Sequence, residues 1–247
     1  MMNGKKFRAI GFLIFAVVLH VAALQLAKGQ DTDNRENPRA YPEMSPLDQY
    51  LMDRNGEIAL ARSAAPEALS RDATILVLGR HGYETAVAGK NGFVCLVDRS
   101  WMLPFDDSEF WNPSVRLPVC QNPPAARSHL PLTFKTTALA LAGRSRKQMF
   151  DSIKTAFDQK ELPLPEPGSM CYMMSKQQNF GPKFGNADPH LMFWFPQPDH
   201  MAWGADMPDS PVDVHQYSPQ PITEFAISVA KWSDGTAAGA NQRGGTQ

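Results

Sequence analysis

Three short β-type runs separated by glycine-bearing turns constrain the fold more than anything else in the chain. Thr74, Ile75, Leu76, Val77 and Leu78 form the first run, and Gly79, Arg80, His81 and Gly82 turn it. Residues 83–88 form the second, Gly89, Lys90, Asn91 and Gly92 turn again, and Phe93, Val94, Cys95, Leu96 and Val97 form the third. Branched apolar runs of this length bounded by glycine favour strands over helices, so the block predicts an antiparallel meander. Strand alternation then places Phe93, Cys95 and Val97 on one face.

Helical signals flank this block. Ser45 and Pro46 form a cap and first turn, with Leu47, Tyr50 and Leu51 on one face, and Gly56 breaks the pattern before Pro66. Leu and Ala content favours a helix over residues 132–142, ended by Gly143. Ser145 and Gln148 have capping-box spacing, and Met149, Ile153, Ala156 and Phe157 recur as one buried stripe. Residues 170–175, 190–195 and 222–232 read as further strands. In the last of these Phe225, Ile227 and Val229 oppose Glu224, Ala226 and Ser228. The six prolines at 104, 113, 118, 123, 124 and 131 oppose a continuous helix or a central strand, so residues 100–131 read as a long aromatic connection.

These elements predict a single α+β domain over residues 45–233. Its sheet is antiparallel or mixed, with about five or six strands, and two or three helices pack over one face. Regular strand–helix alternation, the mark of a doubly wound parallel sheet, is missing.

The amino terminus adds a compartment. Lys5, Lys6 and Arg8 precede an apolar run over residues 9–24, and Ala27 and Gly29 supply small residues. This three-part pattern predicts a signal peptide over 1–29, cleaved after Gly29. A polar leader over 30–44 follows, and residues 234–247 read as a disordered tail. Export implies a periplasmic or extracellular address, with no integral membrane span after signal removal.

The chain's formal net charge is −1. The signal holds four basic and no acidic residues, so the mature chain keeps 20 basic and 25 acidic ones, a net charge of −5. That balance, with no basic–aromatic array, argues against nucleic acid as a partner.

Three cysteines are too few for a disulfide-dense scaffold. Cys95 and Cys120 are the expected bridge, because it would tie the meander to the proline-rich segment; the alternatives are a bridge from Cys171 to either one, or three buried thiols. Cys171 and its neighbour Met173 alternate onto one strand face, and His190 and Met192 alternate onto another. If those strands pair, the four side chains form a candidate copper-binding set. His190 and His200, with Asp199 as orienter or base, are the candidate ligands of a zinc site. The alternative for most of these methionines is core packing. Trp101, Trp111 and Trp203 are candidate walls of a ligand pocket, while Trp194 reads as core.

No nucleophile elbow, zinc-protease helix or phosphate loop occurs. The functional expectation is therefore an exported soluble domain that binds a small ligand or a partner protein. The alternatives are a metal-dependent hydrolase and a copper-handling protein.

Overall fold

The computed structural model describes residues 41–182, 185–197, 200–205 and 207–239. The signal-peptide expectation and most of the leader lie outside these residues, as does the tail beyond 239.

Among the described residues the chain forms one mixed sheet of eight strands, with five α-helices. The strands are β1 (Thr74–Gly79), β2 (Gly82–Val87), β3 (Val94–Asp98), β4 (Leu117–Gln121), β5 (Met170–Met173), β6 (His190–Phe195), β7 (Val212–Gln216) and β8 (Thr223–Ser228). Their spatial order is β2-β1-β3-β4-β5-β6-β8-β7. The helices are α1 (Arg54–Arg62), α2 (Glu67–Ser70), α3 (Pro123–Ser128), α4 (Leu130–Leu141) and α5 (Arg146–Asp158). The fold is thus α+β, but the expected five or six strands and two or three helices were too few.

The missing elements have identifiable causes. β4 contains Pro118, which the sequence reading took as a breaker of central strands. On its β5 side, Arg116 and Asn179 exchange backbone hydrogen bonds, while the β4–β5 ladder pairs only Cys120 and Gln121. Pro118 has the parity of Arg116 and Cys120 and falls between these pairings, where no ladder donor is required. In α3, Pro123 and Pro124 occupy the first turn, where proline costs little, and the Asn122 side chain accepts from the Ala125 N–H.

The meander also needs correction. β1 and β2 form an antiparallel hairpin, but β1 and β3 are parallel. The chain leaves β2, crosses the start of β1 and enters the sheet on the other side. Asp72 O accepts from the Lys90 and Asn91 N–H groups at this crossing. A Cβ on Gly89 would lie 2.1 Å from Thr74 N, so only glycine fits there.

Helices cover both faces rather than one. Leu60, Ala61 and Ala64, on α1 and just beyond it, pack with Ile75, Cys95, Val97 and Cys120. Small alanines let that helix approach the sheet. Ala125, Leu130 and Phe157 of the other helices meet Leu96, Val119, Cys171 and Trp194 on the opposite face. The expected stripe of α5 is present, with Met149, Ile153 and Ala156 buried and the capping box formed.

Cys95 and Cys120 are register partners on β3 and β4 and are disulfide-bonded. Closing the 25-residue separation contributes about 3 kcal/mol on the chain-entropy account.

A second link is ionic. Arg99, fully buried just after β3, donates to Glu57 Oε1 of α1 at 2.8 Å and to Tyr50 O at 2.8 Å. It also donates to Val97 O. Glu57 Oε1 accepts the Leu78 N–H of β1 at 3.0 Å as well.

Removing one member of a buried pair strands the other charge, which costs about 3–5 kcal/mol. Glu57→Ala is therefore expected to lower unfolding free energy by that amount in urea titrations. Asp158→Asn breaks the exposed Lys154–Asp158 pair (2.6 Å) and is expected to cost at most about 0.5 kcal/mol. Equal effects would contradict this assignment.

Candidate functional site

Alternation along five adjacent strands brings one set of side chains to the face under α3 and α4. β3 contributes Leu96 and Asp98, β4 contributes Leu117, Val119 and Gln121, and β5 contributes Cys171 and Met173. The register confirms the shared face: Asp98 lies opposite Leu117, Leu96 opposite Val119, and Gln121 opposite Cys171. Cys171 in turn faces Met192, and Trp194 faces Glu224.

A cavity of about 110 Å³ opens over this face. Its floor includes Asp98, Val119, Gln121, Met173 and Trp194. His129 and Leu132 close it from the helix layer, and Tyr217 and Gln220 from the turn between β7 and β8. A shallower cleft of about 610 Å³, lined by Arg146, Lys147 and Phe150, adjoins it and shares Pro104 and Tyr217. The smaller cavity is the better candidate site, because buried polar groups converge there.

Asp98 is 8% exposed, and its Oδ1 has no hydrogen-bond partner among the described residues. Burial pushes its carboxyl up to about 7, against the lowering effect of neighbouring Arg99. Gln121 is fully buried, and its Oε1 is likewise unpartnered. Its Nε2 lies 3.4 Å from His129 Nδ1. His129 stacks on Trp194 with ring centroids 3.9 Å apart, and burial pushes its imidazole down to about 4. The ring is therefore neutral at pH 7. Trp194 Nε1 donates to Glu224 Oε2 at 2.9 Å. Burial raises the Tyr217 phenol. A cavity lined by strongly shifted titratable groups is the usual signature of a functional site.

The sulfur-rich set occupies the same face. The two strands pair, with Cys171 opposite Met192 and Met173 opposite His190, so the four candidate side chains share one face. Met173 and Met192 line the cavity, whereas Cys171 and His190 do not. His190 Nδ1 lies 2.7 Å from Asp188 O, which orients the ring, and burial lowers its basicity. Burial likewise pushes the Cys171 thiol well up. Among the described residues, no three His, Cys, Asp or Glu side chains are grouped to hold a metal ion. Asp199 and the side chain of His200 lie outside the described residues.

The three tryptophans expected to wall a pocket do not line this cavity. Trp101 is 1% exposed, packs on Tyr50 and donates to Thr137 Oγ1 at 3.0 Å. Trp111 packs edge-on to Phe110 with centroids 4.7 Å apart. Both belong to one aromatic core cluster and do not line the cavity. Trp203 stacks on Phe225 at 4.5 Å and is 40% exposed. Trp194 is a core residue, as expected, at 3% exposed, and it also lines the cavity. Asp98, Gln121 and His129 were missed in the sequence because nothing local marks them, and only the register brings them together.

The chain matches no protein-family profile, no curated protein and no solved structure.

Asp98 and His129 make opposite contributions to stability. Asp98 has a raised folded-state pKa, so its neutral form is favoured on folding. Its contribution is full below pH 4 and is lost, by about 4 kcal/mol, as pH rises through 7. His129 has a lowered folded-state pKa, and it removes about 3 kcal/mol as pH falls from 6.5 towards 4. Urea unfolding across this range is expected to show Asp98→Asn gaining on wild type as pH rises. His129→Gln is expected to gain as pH falls. Curves parallel to wild type would contradict both shifts.

Proposed function

We propose that this protein is an exported binding domain whose ligand is a small organic molecule held in the cavity between the sheet and α4. One observation carries the reading: Asp98 and Gln121 line the same cavity, and each keeps a buried acceptor, Asp98 Oδ1 and Gln121 Oε1, with no partner among the described residues. An unpartnered buried polar group costs about 1–3 kcal/mol, which a ligand's donors would recover. Leu117, Val119, Met173 and Phe180 supply the apolar walls. A few polar groups in an apolar concavity fix a ligand's orientation, while burial supplies the affinity.

Two further features support export to the periplasm or beyond. The amino-terminal pattern is that of a signal peptide, and the Cys95–Cys120 bridge suits an oxidising compartment. Among the described residues no helix is long and apolar enough to cross a membrane.

Thermal unfolding with a panel of amines, amides and alcohols small enough for the cavity tests the reading. A ligand at one hundred times its Kd stabilises the folded state by about 2.7 kcal/mol. Val119→Phe places an aromatic ring in the cavity and is expected to abolish that gain while the far-ultraviolet circular dichroism stays unchanged. The reading fails if no compound stabilises the wild type, or if Val119→Phe responds equally.

A further inference from the structure

Among the described residues, the lining of the cavity includes two acidic side chains, Asp98 and Glu224, and no arginine or lysine. Its one imidazole, His129, is neutral at pH 7. The nearest cation along the chain, Arg99, is committed to Glu57, Tyr50 O and Val97 O. Glu224 already accepts from Trp194 Nε1, which removes the indole donor from competition. The buried lining atoms without a partner among the described residues, Asp98 Oδ1 and Gln121 Oε1, are acceptors, while Tyr217 and Gln220 add polar groups at the turn between β7 and β8.

Three ligand classes meet this lining differently. An anion would face two carboxyl groups with no compensating cation. Above pH 7, where Asp98 is ionised, a neutral molecule carrying only acceptors would leave Asp98 and Gln121 unpaired. An ammonium or amidinium group supplies both the charge and the donors, and its apolar body would contact Met173, Met192 and Phe180.

Accepting the cavity as a binding site, we propose that it selects a small organic cation, with the Asp98 carboxylate as counter-ion and Gln121 Oε1 as second acceptor. Asp98 is desolvated, which strengthens its attraction for a cation relative to an exposed carboxylate. Arg99 opposes that attraction from across the β3 backbone, where Glu57 offsets its charge.

Isothermal titration of the full-length protein at pH 8 with n-butylammonium, n-butanol and n-butyrate tests charge selectivity at constant ligand shape. A charge-assisted hydrogen bond to Asp98 predicts that butylammonium binds roughly tenfold or more tightly than butanol, with butyrate weakest. Asp98→Asn is expected to remove that preference and leave butanol affinity within about threefold. The wild-type comparison needs no variant, so misfolding of Asp98→Asn would not rescue the proposal. Butanol binding as well as butylammonium, or undiminished ammonium preference in Asp98→Asn, overturns cation selectivity and leaves the binding site standing. Failure of all three probes at millimolar concentration, together with an unresponsive panel of amines, amides and alcohols, overturns both.

Discussion

The buried pair between Arg99 and Glu57 fixes the end of β3, and the arrangement of the candidate site follows from that. Two charges removed from water are expensive unless every remaining donor and acceptor is used. Here the guanidinium reaches Glu57, Tyr50 O and Val97 O, and the same carboxylate oxygen takes the Leu78 N–H. One interaction therefore ties α1, β1, the end of β3 and the segment before α1. The disulfide joins β3 to β4 on the same face of the sheet, so this side of the molecule is cross-linked both ionically and covalently.

Alternation along β3 then divides acid from base. Arg99 turns towards α1, where a carboxylate awaits it. Asp98 turns the other way, towards the cavity under α4, where no arginine or lysine lines the wall among the described residues. A backbone held so firmly on one side presents an unpaired carboxyl on the other. The high carboxyl pKa of Asp98 is the electrostatic consequence of that burial.

Local order was well marked in the sequence, and non-local order was not. The three runs from Thr74 to Val97, the capping box at Ser145 and the shared face of Cys171 and Met173 all follow from spacing over a few residues. β4 and α3 were hidden because proline was read by residue type, whereas its effect depends on which backbone N–H the neighbours need. β7 was hidden because Val212–Gln216 alternates with polar residues at the sheet edge, where little burial is demanded. The parallel pairing of β1 and β3 depends on the path of residues 88–93, which run composition does not encode. The site was the least legible part, since Asp98, Gln121, His129, Trp194 and Glu224 come from separated elements that only strand order makes neighbours. The bridge was legible because the expected export allows oxidation and a Cys95–Cys120 bond would tie the meander to the proline-rich segment.

The central physical claim is that Asp98 is a desolvated carboxyl facing a cavity. Carbon-13 NMR titration of the Asp98 side-chain carboxyl in the wild-type protein measures this most directly. The account predicts a midpoint near 7. A midpoint near 4, the ordinary value for a solvated aspartate, would contradict it.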